Sequence, residues 1–324
     1  MVFQRQKLVF KLKKFIDSEL IKSKMTVVLK DILPLNQQNV FISNEEQLLK
    51  KINSMKSDTY AKLQIVTDFD HTLTRPDGLT SFDMFNKCPS VPVEYVQVNE
   101  KLKKEYGDAT KTVNMSDGEI TEHYSQWFRK VYDELKAHIE KFPLSELDEQ
   151  ADKVKFRYGV ENLIKTCEEK EVPILIFSAG MGECVDAVIK KNNLQSLPNI
   201  KIIANYCELD SNGKVLGVKG DFLMHSRNKN EAIKHYVKLD EHFKEMEKRR
   251  NVILMGDMTG DVGMVTDESC NIIKIGFLSL NGKQNIEETE KNKKKYLDVF
   301  DIVLLNENTM DVPNAILNII NNAY

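Results

Sequence analysis

The chain has 324 residues, of which 41% are hydrophobic and 29% are charged, a balance typical of a globular protein with a large apolar core. The formal net charge of −3 provides no basic field for a phosphate backbone, so the composition argues against nucleic-acid binding. Five cysteines without a Cys-x-x-Cys pair indicate a reduced, cytoplasmic protein rather than a disulfide scaffold or a zinc site.

Residues 1–34 are predicted to form a helical N-terminal extension. The first 25 residues interleave apolar side chains with lysines, but they lack the apolar block and the cleavage site of a secretory signal. A transit peptide or a membrane-surface helix would use such a pattern, but Asp17 and Glu19 interrupt it, and a peripheral structural helix is favoured. No segment reaches the roughly 18 uninterrupted apolar residues of a membrane span, so we expect no membrane partner.

Short β-branched apolar runs predict the strands of a parallel sheet. Continuous runs of this kind fit strands that are buried on both faces, and helical patterns between most of them indicate right-handed βαβ units. An amphipathic helix at Asn44–Met55 precedes the first strand. The sequence therefore predicts an α/β fold with a doubly wound parallel sheet, formed by residues 35–75 and 159–324. The predicted strands are Leu63–Thr67, Pro173–Phe177, Lys201–Asn205, Asn251–Met255, Asn271–Ile275 and Asp301–Leu305.

About a hundred residues without a strong strand pattern separate the first two predicted strands. Ser116 and Glu119 have the spacing of a capping box, and apolar residues follow at steps of three and four. Another helix is predicted to begin after Ser145. We interpret residues 76–158 as a helical cap inserted after the first strand. Later in the chain, the turn residues Asp210–Gly213 lie between the strand-like runs Ile202–Leu209 and Lys214–Val218 and predict a β-hairpin.

Two aspartates, Asp68 and Asp70, follow the first predicted strand in the segment TDFDHTL. Ligands bind at the carboxyl ends of the strands in a doubly wound sheet, and residues two apart on a strand point the same way. One carboxylate can attack phosphorus, and a second can protonate the leaving oxygen. Because these carboxylates repel each other and a phosphate, Mg²⁺ is the expected cofactor. A chance match is the alternative, and the position at a strand end weighs against it.

Three further segments place polar residues at or before strand ends. Ser178 and Ala179 could bind phosphate, although Ser-Ala-Gly is also an ordinary strand-to-helix turn. Asp257 could complete a magnesium site, and Asp261 could orient the waters of the ion or a lysine. A turn residue and a helix N-cap are the alternative interpretations of these two aspartates. A lysine that offsets phosphate charge is expected before the strand at Asn251–Met255, and the interval alone does not choose between Lys219 and Lys229.

The acidic and hydroxyl segments around Asp68, Ser178 and Asp257, which follow strands in this order, resemble the haloacid dehalogenase superfamily of phosphohydrolases. The resemblance is closer to the cytosolic 5′-nucleotidase type III family, the pyrimidine 5′-nucleotidases, and it runs from about residue 35 to the C-terminus. It is carried by the segments AKLQIVTDFDHTL, IFSAGMG, VKGD, NK and LMGD, which begin at Ala61, Ile176, Val218, Asn228 and Leu254.

The resemblance implies a role for each site residue. Asp68 is then the nucleophile and a magnesium ligand, and Asp70 is the general acid and base whose backbone carbonyl also binds the ion. Asp257 is the third protein ligand of the metal. The phosphate is bound by Ser178, Ala179 and Lys229, and Asp261 supports Lys229 or the metal. The helical insertion matches a cap that closes over the nucleotide.

The cap differs from the family pattern at two positions. An ungapped count from Trp127 places the base-recognising glutamate of the family at Thr110 and its serine at Val131. With gaps, the glutamate could instead be Glu105, Asp108 or Glu119. Losing groups that pair with the polar edge of a base should change the preference, so the nucleobase stays open. Trp127 and Tyr124 could stack on a base, but their helical spacing favours a place in the cap core.

The resulting hypothesis is a magnesium-dependent 5′-nucleotidase, monomeric and cytoplasmic, that acts on small nucleoside 5′-monophosphates, with pyrimidines favoured by the family. One alternative is a phosphatase of the same superfamily for another small phosphomonoester, such as a phosphosugar or phosphoserine. A catalytically silent binding protein with the same fold is a second alternative, which the presence of every expected catalytic group disfavours.

Overall fold

The computed structural model of the protein describes residues 27–107, 109–236, 246, 248–280 and 285–321. Within these residues, seven strands form a central sheet in the order β1-β9-β8-β7-β2-β3-β4, and two more form a hairpin, β5-β6. The pairs in the central sheet are parallel except for β1, which is antiparallel to β9. The strands are β1 Val40–Ile42, β2 Leu63–Asp68, β3 Ile174–Met181, β4 Ile200–Asn205, β5 Cys207–Leu209, β6 Val215–Val218, β7 Asn251–Gly256, β8 Asn271–Leu278 and β9 Ile302–Leu305.

Helices cover both faces of this sheet. Successive residues of a strand point to opposite faces, so Ile65 and Ile253 pack into one apolar cluster while Val66 and Leu254 pack into the other. The prediction of a doubly wound α/β fold is therefore confirmed. The helices are α1 Glu45–Asp58, α2 Ser81–Phe85, α3 Val93–Tyr106, α4 Asp117–His138, α5 Leu144–Gln150, α6 Val160–Glu169, α7 Gly182–Lys191, α8 Lys229–Tyr236, α9 Ile286–Leu297 and α10 Asp311–Asn321.

The segment between β2 and β3 consists of helices. Helices α3 and α4 enclose a small apolar cluster of their own, which contains Leu102, Tyr106 and Val131. The hairpin β5-β6 packs on α4, whereas α5 packs on α7 and places Leu147 in the main core. Helix α4 begins with the predicted capping box, and α5 begins at Leu144, slightly earlier than expected. The limits 76–158 of the cap stay a prediction.

Three details differ from the sequence predictions or complete them. The edge strand β1 was not predicted, and the run that leads into the Asp210 turn is divided at Tyr206 between β4 of the sheet and β5 of the hairpin. Residues 1–26 of the predicted extension lie outside the described residues, but Ile32 and Leu35 are buried in the main core. None of the described helices is long and apolar enough to cross a membrane.

Candidate active site

Polar side chains meet at the carboxyl ends of three neighbouring strands. Asp68 ends β2, Ser178 lies in β3 and Asp257 directly follows β7, and β2 lies between β7 and β3 in the sheet. Lys229, the first residue of α8, is 3% exposed, and its ammonium forms an ion pair with the carboxylate of Asp68. The same Nζ donates a hydrogen bond of 2.8 Å to Oδ1 of Asp261. The predicted residues at 68, 229 and 261 are therefore in direct contact.

The carboxylates of Asp68, Asp257 and Asp261 form the acidic cluster of the site. One oxygen from each lies within 4.8 Å of the others. Asp261 already uses both of its oxygens, since Oδ1 accepts from Lys229 and Oδ2 accepts from the backbone N–H of Met258 at 2.8 Å. Asp68 and Asp257 are therefore the better side-chain ligands for a metal. A donor set made only of oxygens fits a hard cation such as Mg²⁺.

Burial dominates the electrostatics of this cluster. It raises the pKa of Asp68 to about 7, against the opposing effect of the Lys229 ammonium and with a further increase from the charge of Asp261. Burial and the charges of Asp68 and Asp261 raise the pKa of Asp257 well above its ordinary range. Burial alone would lower the pKa of Lys229, but Asp261 and Asp68 raise it above its ordinary value. One ammonium does not balance three carboxylates, and a divalent cation would supply the missing charge.

Asp70 is held by a residue that the sequence prediction did not include. The backbone N–H and the hydroxyl of Ser81 donate to the Asp70 carboxylate at 2.9 and 2.7 Å. Ser81 occupies the first turn of α2, which Thr80 caps together with Asp83. Burial raises the pKa of Asp70, and the bonds from Ser81 oppose that increase. A carboxyl group that retains its proton more readily is suited to donate it to a leaving oxygen. The Thr-Ser-Phe-Asp capping signature was the available signal for Ser81.

Ala179 and Gly180, which directly follow Ser178, line one pocket together with Asp70. The pairing of β3 with β4 shifts register between Ser178 and Met181, and the Gly180 N–H donates to the Ser178 hydroxyl at 3.1 Å. Asn205 donates to the carbonyl of Ala179 at 2.9 Å, which fixes this irregular backbone. A side chain at Gly180 would place its Cβ 1.8 Å from the Ser81 hydroxyl, so glycine is required for Asp70 and Ser81 to approach β3.

A pocket leads from Asp70, Ala179 and Gly180 toward helices α3 and α4. Its wall on α4 is apolar and aromatic, and α3 adds polar and charged side chains. Trp127 has two roles here, because it lines the pocket and also packs on the small cluster of α3 and α4. The residues that line the pocket beyond the strand ends are Thr80, Phe82, Asp83, Asn86, Asn99, Glu100, Lys103, Trp127, Phe128 and Val131.

The alternatives for a base-recognising glutamate can be compared with this pocket. Val131 lines it with an apolar side chain, and the side chain of Thr110 lies outside the described part of the chain, as does Asp108. Glu119 is occupied in capping α4, where it accepts from the N–H and the hydroxyl of Ser116 at 2.8 and 2.7 Å. Glu105 is exposed. Among the described carboxylates beyond Asp70, those of Glu100 and Asp83 line the pocket, and the sequence prediction included neither.

The doubly wound parallel sheet with a helical segment inserted after β2 is a fold of the haloacid dehalogenase type. A more specific relationship is also present. Residues 70–321 match the model of the family described as pyrimidine 5′-nucleotidase (UMPH-1). The chain belongs to this family, whose members are 5′-nucleotidases and therefore phosphoric monoester hydrolases.

Named relatives and a solved structure agree with the family assignment. The chain is 32% identical over 302 residues to a 7-methylguanosine phosphate-specific 5′-nucleotidase of Drosophila melanogaster, with 90% of each protein covered. It is 27% identical to the protein of the same name from Homo sapiens, with 89% of this chain and 94% of the relative covered. The crystal structure of cytosolic 5′-nucleotidase IIIB bound to cytidine matches with a TM-score of 0.79 and 30% identity, over 92% of this chain and 98% of the other.

Proposed function

We propose that the protein is a magnesium-dependent 5′-nucleotidase that hydrolyses nucleoside 5′-monophosphates to nucleoside and phosphate through an aspartyl-phosphate intermediate. The observation that carries the proposal is the contact between Lys229 and Asp68 in a buried acidic cluster, beside a pocket with an aromatic wall. We also propose a cytoplasmic location, since similar proteins are called cytosolic, and a monomeric state.

Asp68 is the proposed nucleophile because it ends a buried strand and shares the buried site with Lys229. Its carboxylate oxygen attacks phosphorus, the ester bond breaks, and the phosphoryl group is transferred to Asp68. Lys229, the Ser178 hydroxyl and the backbone amide of Ala179 bind the phosphoryl oxygens. Mg²⁺, held by Asp68, Asp257 and the carbonyl of Asp70, would offset the negative charge of the phosphoryl group and the carboxylates.

Asp70 is the proposed general acid and base. In its protonated form it donates a proton to the 5′ oxygen of the leaving nucleoside, and as a carboxylate it takes a proton from the water that hydrolyses the acyl phosphate. Ser81 orients this carboxyl group through its two hydrogen bonds. Asp261 accepts from Lys229 and so directs its ammonium toward Asp68.

The pocket that extends from Asp70 is the proposed nucleoside site. Trp127 and Phe128 offer ring surfaces for a base, and Glu100 offers a carboxylate for its donor groups, whereas Asp83 is occupied in capping α2. A 7-methylated guanine carries positive charge, which aromatic faces and carboxylates both favour. The names of the relatives support 7-methyl-GMP as a substrate, and the family description supports pyrimidine nucleotides.

Phosphate release from CMP, UMP, AMP, GMP and 7-methyl-GMP at fixed Mg²⁺ tests the proposal. We expect CMP and 7-methyl-GMP to be hydrolysed with the highest kcat/KM. A sugar phosphate and phosphoserine serve as controls. Faster turnover of either control would instead indicate a phosphatase for another phosphomonoester, and no turnover of any compound would indicate a silent binding protein.

A further inference from the structure

His225 lies between the cap helix α4 and the loop that leads to Lys229. Its side chain is fully buried, and Nε2 lies 2.9 Å from the hydroxyl oxygen of Ser125 on α4. The rings of Tyr124 and Phe128, also on α4, lie 6.1 and 5.9 Å from the imidazole, centroid to centroid. His225 is therefore the point at which this helix contacts the loop before α8.

The surrounding hydrogen bonds define the tautomer of the imidazole. The backbone N–H of Arg227 donates to Nδ1 at 3.2 Å, so Nδ1 is an acceptor and the proton is on Nε2. The Ser125 hydroxyl donates to the carbonyl of Thr121 at 2.9 Å, which leaves its oxygen free to accept from Nε2–H. Burial lowers the pKa of His225 to about 4, with Arg129 and Arg227 acting in the same direction against Glu122, so the ring is neutral.

The same histidine is bonded to the loop that carries the phosphate-binding lysine. The backbone N–H of His225 donates to the side-chain oxygen of Asn228 at 2.7 Å, and Asn228 directly precedes Lys229. The Asn228 amide in turn donates to the carbonyl of Leu223 at 3.0 Å. A second contact joins the loop to α4, since the guanidinium of Arg227 lies 5.8 Å from the centroid of the Tyr124 ring. A short, hydrogen-bonded loop thus links Ser125 of the cap helix to Lys229.

We propose that His225 is a positioning residue, which docks α4 onto the Lys229 loop through the Nε2–H bond to Ser125. The inference rests on the proposed function and goes beyond it. Trp127 and Phe128 of α4 line the nucleoside pocket, whereas Lys229 binds the phosphate. The docking bond therefore sets the distance between the two groups that hold opposite ends of one substrate, and its loss weakens nucleoside binding under the cap.

Two variants, each of which lacks one partner of the bond between His225 and Ser125, test the proposal. Ser125→Ala removes the acceptor, and His225→Asn removes the ring nitrogen that reaches Ser125 while keeping a shorter acceptor for the Arg227 N–H. Each variant should raise the KM for the best nucleotide about fivefold, the change expected for one hydrogen bond of ordinary strength, and should alter kcat less than twofold. The double variant should lose no more than either single variant, because both remove the same contact.

The chain provides matched controls. The hydroxyl of Thr121, one turn earlier on α4, donates to the carbonyl of Asp117 at 2.8 Å, so Thr121→Ala removes a similar hydroxyl without touching the loop. It should leave KM within twofold of the wild type, and Ser125→Thr, which restores a hydroxyl, should do the same. The inhibition constant of inorganic phosphate, which has no nucleoside, should also stay within twofold in every variant.

Additive losses in the double variant, or an equal loss in Thr121→Ala, would overturn the proposal. Nitrogen NMR of the histidine-labelled protein detects the tautomer of His225 and requires no substrate. The signal that disappears in His225→Asn should be that of a neutral Nε2–H tautomer. An Nδ1–H tautomer would refute the docking bond even in an active enzyme. If the wild type hydrolysed no nucleotide, the proposed function would fail, while the NMR result would still decide the His225 contact.

Discussion

Glu183 permits a quantitative prediction about stability and pH. It lies in the first turn of α7, directly after the segment proposed to bind phosphate, and its Oε1 accepts from the Cys207 N–H at 2.7 Å. Its Oε2 is buried without a hydrogen-bond partner among the described residues. Burial raises its pKa from 4.5 to about 7, against the bond from Cys207. Glu183→Gln should therefore stabilise the protein at high pH, because the amide keeps an acceptor and removes a buried charge.

The sign follows from proton linkage. A carboxyl group whose pKa is raised on folding holds its proton more tightly in the folded state. Its favourable contribution is complete below the unfolded pKa of 4.5 and is lost as pH rises through about 7. At about 1.36 kcal/mol for each pKa unit, the whole difference amounts to about 3 kcal/mol. Part of the residue is exposed, so solvent screening reduces the expected effect to about 2 kcal/mol.

Urea denaturation of the wild type and Glu183→Gln at pH 5 and pH 8 measures this effect. The free energy of unfolding of the variant minus that of the wild type should be about 2 kcal/mol larger at pH 8 than at pH 5. Glu161→Gln, at an exposed glutamate in the first turn of α6, is the matched control and should show no such change. The reasoning is refuted if the difference between Glu183→Gln and the wild type is the same at both pH values.

The remaining predictions concern the site. Asp68→Asn should abolish turnover while the far-ultraviolet circular dichroism is retained, and full activity would contradict the nucleophile assignment. EDTA should stop phosphate release and added Mg²⁺ should restore it; indifference to chelation would exclude the metal role. Lys229→Met should lower kcat about a hundredfold or more, measured at saturating nucleotide, and a change confined to KM would argue against transition-state stabilisation. Gly180→Ala should lower kcat by about a hundredfold because its Cβ displaces Ser81 from Asp70, and unchanged kinetics would show that Ser81 does not position the acid.

The central sheet could be predicted because its strands are buried on both faces. Each predicted run became a strand of this sheet, with ends that differ by a few residues. The three-residue strand β1 is too short to leave a pattern. The run through Tyr206 was predicted as one strand, since its apolar character does not show that the chain passes from the sheet to the hairpin at that point.

Prediction of the site residues from the sequence was limited in the same way. Residues at strand ends could be found in the sequence, because the topology of a parallel sheet brings these ends together. The capping signature places Ser81 at a helix start, but neither its contact with Asp70 nor the position of Glu100 in the pocket could be predicted, because both depend on tertiary packing. The contact between Ser125 and His225 joins residues 100 positions apart and has no local signature. The lining of the pocket also depends on tertiary packing. The ungapped count from Trp127 therefore did not identify Glu100 and Asp83, which line the pocket.

The order of strands in the sheet has a consequence for folding. Asp68, Ser178 and Asp257 come from strands that are neighbours in space. In the chain, more than a hundred residues separate β2 from β3, and α7, β4, the hairpin and α8 separate β3 from β7. A contiguous fragment must therefore span at least residues 68–257 to contain all three. Enzymatic activity should thus return only after helix content has recovered, because these long-range pairings close loops of more than a hundred residues.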